Sequence, residues 1–144
     1  MTNSTYDARL FLGRAWELEK QIRRLEELRV RMLTVAERGT STVNAIRYSG
    51  TSARSRVEDG VCDYLAVKDE MDALIDKQVD VKREIRAVIQ QVKGESCRKL
   101  LNCKYIEFKM WTTIARELKM NYSYVYKELR DKAERQIHNI LYSS

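Results

Sequence analysis

The sequence of 144 residues contains no proline, five glycines, three cysteines and one histidine. Proline interrupts helices, and about one residue in twenty is usual, so its absence favours long unbroken helices. The chain also lacks a glycine-rich phosphate loop and a zinc-type cysteine spacing, and His138 has no nucleophile at a set spacing. The sequence therefore predicts an all-α protein that is not an enzyme and that binds no metal, cofactor or small-molecule substrate.

Two further absences concern localisation. The chain has no positively charged leader with an apolar core, and no apolar run is long enough to cross a bilayer. We therefore expect a cytoplasmic protein with no membrane partner. In such a protein the three cysteines are expected to be buried or half-buried thiols, namely Cys62, Cys97 and Cys103.

Positive charge exceeds negative charge, and the excess is uneven. Lysine and arginine number 27 against 21 aspartates and glutamates, which gives a net charge of +6 and a pI near 9.3. Residues 94–144 hold ten basic and six acidic residues, whereas residues 1–93 hold seventeen and fifteen. A local excess of this kind favours a nucleic-acid partner, although proteins that bind no nucleic acid also show it.

The first two thirds of the chain predict two long amphipathic helices with a coiled-coil pattern. Apolar residues recur at three- and four-residue spacing from Ala8 to Met32 and again from Tyr64 to Val92. Between them, Gly39–Arg56 is rich in serine, threonine and glycine and shows no sustained period. Residues 1–93 are therefore predicted to form a long two-helix hairpin, with a flexible loop at about residues 38–56.

The apolar stripe of this hairpin is wider than a two-helix seam requires. Flanking residues such as Leu12, Leu33, Leu65 and Ile89 would remain exposed to water if the hairpin stood alone. We therefore expect a homodimer, although the C-terminal helices could instead cover the stripe and leave a monomer. The residues predicted to form the dimer contact are Leu18, Ile22, Leu25, Met71, Leu74, Val81, Ile85 and Val88.

The last third predicts two short helices around a tight turn, as in a helix-turn-helix domain over residues 94–144. Trp111, Ile114 and Leu118 lie on one face of the first helix, and Lys119–Asn121 forms the turn. Asn121 is a good N-cap because its side-chain oxygen can accept hydrogen bonds from the next turn. The second helix is therefore predicted to begin near Tyr122.

The second helix has an apolar side and a polar side. Its inward stripe consists of Val125, Leu129, Ala133, Ile137 and Ile140. Side chains near the start of such a helix reach base edges in the major groove, whereas the alternative is an ordinary solvated face. The residues predicted to contact double-stranded DNA are Tyr122, Ser123, Tyr124, Lys127 and Arg130.

From about Gln78 to Leu141, the chain resembles small phage and prophage proteins of Gram-positive bacteria. The residues that carry the resemblance are Val81–Arg86, Leu100–Leu101, Lys104–Glu107, Lys109, Trp111, Ile114–Ala115, Glu117–Leu118 and Tyr124–Lys127. Proteins of this family have a long helical region followed by a helix-turn-helix similar to sigma-factor region 4, and they look like regulators of phage late transcription. The resemblance implies promoter recognition by the helix from Tyr122 in the bacterial host cell, with RNA polymerase as a further candidate partner.

Three positions depart from the family pattern. Lys119 stands where a glycine is usual, and a left-handed non-glycine residue costs about 1–2 kcal/mol. Met110 stands where a serine or threonine cap is expected. The step from Val125 to Ala133 is one residue longer than the family pattern.

Two alternatives to a transcription regulator share these features. In the first, the hairpin is a protein-interaction module that acts on RNA polymerase or a host factor, with exposed tyrosines as anchors. In the second, the chain is the DNA-recognition subunit of a packaging machine, a role for which we would expect the reader at the other end of the chain.

Overall fold

The computed structural model describes the backbone of residues 3–45 and 52–143 and the side chains of residues 5–37, 60 and 63–143. The described backbone is nearly all helical and contains no strand, so the predicted all-α fold class is confirmed. The helices are α1 (Asn3–Leu12), α2 (Arg14–Ala45), α3 (Ser52–Ile89), α4 (Glu95–Leu101), a first π-helical turn (Asn102–Ile106), α5 (Trp111–Leu118), α6 (Tyr122–Tyr124), a second π-helical turn (Val125–Leu129) and α7 (Arg130–Tyr142). The run from Tyr122 to Tyr142 is the C-terminal helix. None of the described helices is both long and apolar enough to span a membrane.

The two long helices extend beyond their predicted ends. α2 continues to Ala45 and α3 begins at Ser52, where the sequence predicted a flexible loop over about residues 38–56. Serine and threonine cost a helix only about 0.5 kcal/mol each relative to alanine, and no proline interrupts this segment. The rest of the predicted loop, residues 46–51, lies outside the described residues, as does the side chain of Cys62.

The chain divides into two compact units. Unit 1 consists of Met1–Leu18 and Gln78–Ser144, and unit 2 consists of Glu19–Lys77. The predicted domain boundary lay between residues 93 and 94. The observed division differs because α1, from the beginning of the chain, packs against α7 near its end.

Unit 2 contains α2 from Glu19 to its end and α3 from its start to Lys77. Arg29 of α2 donates a hydrogen bond to the hydroxyl of Tyr64 in α3 at 3.2 Å, and it also pairs with Glu26 at 2.6 Å. The apolar residues of the predicted dimer contact that are buried or half-buried in this unit are Ile22, Leu25, Met71 and Leu74. The hydrogen bond between Arg29 and Tyr64 therefore links the two helices here.

Unit 1 holds the main core, which is built from both ends of the chain. Leu12 of α1, Ile85 of α3, Leu101 of α4 and Ile137 of α7 are each fully buried. The side-chain amide of Gln78 in α3 donates to the carbonyl of Ala15 in α2 at 3.1 Å. This hydrogen bond satisfies a buried polar side chain among the apolar residues of α3.

A turn after α3 returns the chain to this core. Gly94 adopts a positive φ of 99°, which glycine tolerates without strain, and α4 begins at the next residue. The side chain of Gln136 accepts a hydrogen bond from the Lys93 amide at 2.8 Å and donates to the Lys93 carbonyl at 3.0 Å. Two hydrogen bonds therefore link this turn directly to α7.

Most of the residues predicted to contact a second copy belong to the core of the single chain. Leu12 and Ile89, which the sequence left exposed to water, are also buried. Leu33 and Leu65 are exposed, so the described helices cover only part of the apolar stripe, and the homodimer stays a prediction. Of the predicted contact residues, Leu18, Ile22, Met71, Val81 and Ile85 are buried, and Leu25, Leu74 and Val88 are half-buried.

Candidate nucleic-acid interface

α5 ends in a hydrogen-bonded turn at the residue where the sequence departs from the expected glycine. Lys119 is left-handed, with φ 56° and ψ 41°. Its amide donates to the Arg116 carbonyl at 3.1 Å, and the Met120 amide donates to the Ala115 carbonyl at 3.0 Å. These two bonds form a Schellman motif, which satisfies carbonyls at the end of a helix and is usually closed by glycine. The predicted turn therefore forms with a strained lysine.

Replacing Lys119 with glycine should stabilise the protein by about 1 kcal/mol, because glycine removes the steric cost of the left-handed backbone. Chemical denaturation followed by circular dichroism would measure the gain. Lys119→Ala is the matched control, since it loses the same charge but keeps the Cβ atom, and it should give no gain. Equal stabilisation by alanine would mean that removal of the charge, and not relief of strain, is responsible.

The start of the C-terminal helix is fixed by the predicted cap. The Asn121 side-chain oxygen accepts hydrogen bonds from the amides of Ser123 at 2.9 Å and Tyr124 at 3.4 Å. The start of α5 differs, since Met110 precedes it in an extended conformation and provides no side-chain cap. The predicted turn at Lys119–Asn121 and the predicted start of the next helix near Tyr122 agree with the structure.

The C-terminal helix buries the predicted apolar stripe. Val125, Leu129, Ala133 and Ile137 are buried, and Ile140 is half-buried. The second π-helical turn, Val125–Leu129, lies within this stripe. A π-helical hydrogen bond spans one residue more than an α-helical bond, so this turn accommodates the extra residue that the sequence showed between Val125 and Ala133.

The predicted DNA-binding residues fall into two groups. Tyr122, Ser123, Tyr124 and Lys127 are exposed on the first two turns of the C-terminal helix. Arg130 is different, because its side chain is only 15 % exposed. We define the reader face as Ser123, Tyr124 and Lys127, which lie on the side of the helix away from the buried Val125.

Arg130 is engaged in contacts within the protein, and its role as a DNA contact stays a prediction. Its Nε atom lies 2.8 Å from a carboxylate oxygen of Glu134. Its guanidinium carbon lies 4.7 Å from the centre of the Trp111 ring and 4.9 Å from that of Tyr126. A guanidinium held by an ion pair and two cation–π contacts cannot reach a base edge without breaking them.

The partner of Arg130 is a fully buried carboxylate that sequence reasoning missed. Glu134 also accepts a hydrogen bond from Arg9 at 2.7 Å and from the Tyr105 hydroxyl at 2.8 Å. Burial, reinforced by the charge of Glu134, raises the pKa of Tyr105, so its hydroxyl keeps its proton and remains a donor. Arg130 and Glu134 have the four-residue spacing of an ordinary surface pair, and only this spacing hinted at the site.

An aromatic cluster lies beside the reader face and is defined by Trp111, Tyr122 and Tyr126. The rings of Tyr122 and Tyr126 stack at 5.9 Å with an interplanar angle of 4°, and Trp111 meets Tyr126 edge to face at 5.5 Å. The ammonium group of Lys104 lies 5.1 Å from the centre of the Trp111 ring, and burial, with the charge of Arg130, lowers its pKa. The cluster braces the helix start against α5.

The two described cysteines are buried, as predicted. Cys97 is 2 % and Cys103 4 % exposed. Burial, followed by the nearby charge of Glu107, raises the pKa of Cys103 to about 11. Its thiol is therefore protonated at neutral pH and is a poor nucleophile. Among the side chains that the structure describes, no three histidine, cysteine, aspartate or glutamate residues are grouped so that they could hold a metal ion.

Comparison with known proteins adds one finding. A protein family described as a protein of unknown function (DUF1492) matches residues 39–138, a range that includes the aromatic cluster, the reader face and Glu134. No curated protein and no solved structure matches the chain.

Proposed function

We propose that this chain, which belongs to the DUF1492 family of proteins of unknown function, binds double-stranded DNA and regulates transcription. The observation that carries the proposal is the exposure of Ser123, Tyr124 and Lys127 on a helix whose opposite side is buried. In DNA-binding helix-turn-helix proteins, residues at the start of the second helix contact base edges in the major groove. The resemblance to phage regulators favours a promoter as the target.

Basic side chains around the turn support this proposal. Arg116 and Lys119 at the end of α5 are exposed, as is Lys127 on the reader face. Contacts from lysine and arginine to phosphates supply affinity and fix the position of a protein on the duplex. Base selection is then left to the reader face.

The test begins with selection of bound fragments from genomic DNA by the purified protein. On a selected duplex, Lys127→Ala should weaken binding about tenfold. It should also reduce the slope of log affinity against log salt concentration by about one, because one phosphate contact is lost. Fluorescence anisotropy at several salt concentrations would measure both effects. Lys132→Ala is the matched control, because Lys132 is also exposed but lies in α7 beyond the first two turns, and it should leave the affinity unchanged.

Failure to enrich any duplex would contradict the proposal, and so would equal losses from Lys127→Ala and Lys132→Ala. A second candidate function, docking on RNA polymerase or a host protein, is favoured by the exposed aromatic surface. Tyr122, Tyr124 and Tyr126 are 39–47 % exposed, and tyrosines are frequent anchors of protein interfaces. A Tyr124-dependent complex with purified polymerase, formed without DNA, would support this second candidate.

A further inference from the structure

We infer that the DNA selected by this protein is rich in thymine, and that tyrosine rings recognise the thymine methyl groups in the major groove. The inference rests on the proposed function, and it names the bases that the reader face would contact. It follows from which side chains at the helix start are exposed and which are already occupied within the protein.

Most side chains that read purines are not available at this site. Guanine is read by donors from an arginine or a lysine, and adenine is read by the amide of an asparagine or glutamine. At this site the Asn121 side chain is the helix cap, and the Arg130 guanidinium is bound to Glu134. The next side-chain amide along the helix is that of Gln136, which accepts a hydrogen bond from the Lys93 amide and donates one to the Lys93 carbonyl. Lys127 is left as the basic side chain of the reader face.

The large exposed side chains that remain at the helix start are tyrosines. Tyr124 is 43 % and Tyr122 47 % exposed, and they lie on either side of Ser123. In the major groove, the methyl group of thymine is the apolar feature that distinguishes it from the other bases, and apolar side chains recognise it by contact. A phenol ring provides that contact, and its hydroxyl can donate to a thymine O4 or to a phosphate.

The arrangement of the rings suits this role. Tyr122 is stacked on Tyr126, which Trp111 holds from the side, so the ring is braced before any ligand arrives. Rigid aromatic side chains lose little conformational entropy when they bind. Tyr124 lies on the reader face beside Lys127, so we assign it the main methyl contact and assign Tyr122 the second.

Replacing thymine with deoxyuracil tests the inference, because it removes the methyl group and leaves base pairing unchanged. On a duplex selected by the full-length protein, complete replacement should weaken binding at least about fivefold, as expected for the loss of one or two buried methyl contacts. Tyr124→Ala should weaken binding to the thymine duplex and reduce the penalty for deoxyuracil. Tyr124→Phe keeps the ring and should keep most of that penalty. Lys127→Ala is the control, since it should weaken binding to both duplexes by the same factor.

The outcomes separate this inference from the proposed function. If no duplex is bound, the proposed function fails. If thymine and deoxyuracil duplexes bind equally well, the methyl contact is overturned while DNA binding stands. A penalty that persists unchanged in both Tyr124→Ala and Tyr122→Ala also overturns it, because the methyl groups would then act through the shape of the duplex. Circular dichroism of each variant verifies that it is folded.

Discussion

Replacing Glu134 with alanine should lower the free energy of unfolding by about 3 kcal/mol, at the lower end of the range for breaking a buried ion pair. Glu134 is fully buried and receives hydrogen bonds from Arg9, Arg130 and Tyr105. Without the carboxylate, Arg130 and the Tyr105 hydroxyl lose their acceptor in a largely buried site. Arg9 is 27 % exposed and can turn toward water, which is why we expect the lower end of the range.

Urea denaturation followed by circular dichroism would measure this loss. The matched control is Glu128→Ala, which removes an exposed carboxylate from the same helix and should change stability by no more than about 0.5 kcal/mol. Tyr105→Phe removes one donor and should have a smaller effect than Glu134→Ala. If Glu134→Ala and Glu128→Ala cost the same, the buried cluster contributes no net stability.

The same substitution should also disturb the aromatic cluster. Arg130 lies over the rings of Trp111 and Tyr126 while its Nε atom is bound to Glu134. Freed from the carboxylate, Arg130 gains rotamers that leave the rings. The emission spectrum of the folded variant in the absence of urea should therefore change through Trp111, and it should be unchanged in Glu128→Ala.

The parts of the structure that the sequence predicted correctly are those with local signals. The apolar spacing of Trp111, Ile114 and Leu118 indicated α5, and Asn121 indicated the start of the next helix. A cap needs only the amides two and three residues later, so its evidence lies within one turn. The buried stripe from Val125 to Ile137 could likewise be read from periodicity alone.

The parts that the sequence did not predict depend on distant residues. Arg9 and Glu134 are 125 positions apart, and nothing near either residue indicates the pairing. For the same reason, the sequence did not indicate that Arg130 is mostly buried and paired with Glu134. The lengths of α2 and α3 were underestimated because the composition of Gly39–Arg56 is typical of a loop. Composition is only a weak guide where no proline stops a helix that has already begun.

Unit 1 contains both α1 and α7, so a truncation in α1 should also affect the stability of α7. Leu12→Ala should lower the free energy of unfolding of unit 1 by about 3 kcal/mol, within the usual range for truncating a buried leucine. Leu12 is fully buried in α1, and α1 packs against α7. The sequence had assigned these two helices to different domains. A cavity at Leu12 should therefore weaken the C-terminal helix that carries the reader face.

Hydrogen exchange would show where this loss falls. In Leu12→Ala, amides of α7 should exchange faster, because the opening of α7 exposes the surface that α1 covers. Leu10→Ala is the matched control on the same helix: Leu10 is 57 % exposed, and its truncation should change stability by no more than about 0.5 kcal/mol. If Leu12→Ala leaves exchange in α7 unchanged, then α1 is not part of the core of the C-terminal helices. The C-terminal domain would in that case fold from residues 94–144 alone, as the sequence suggested.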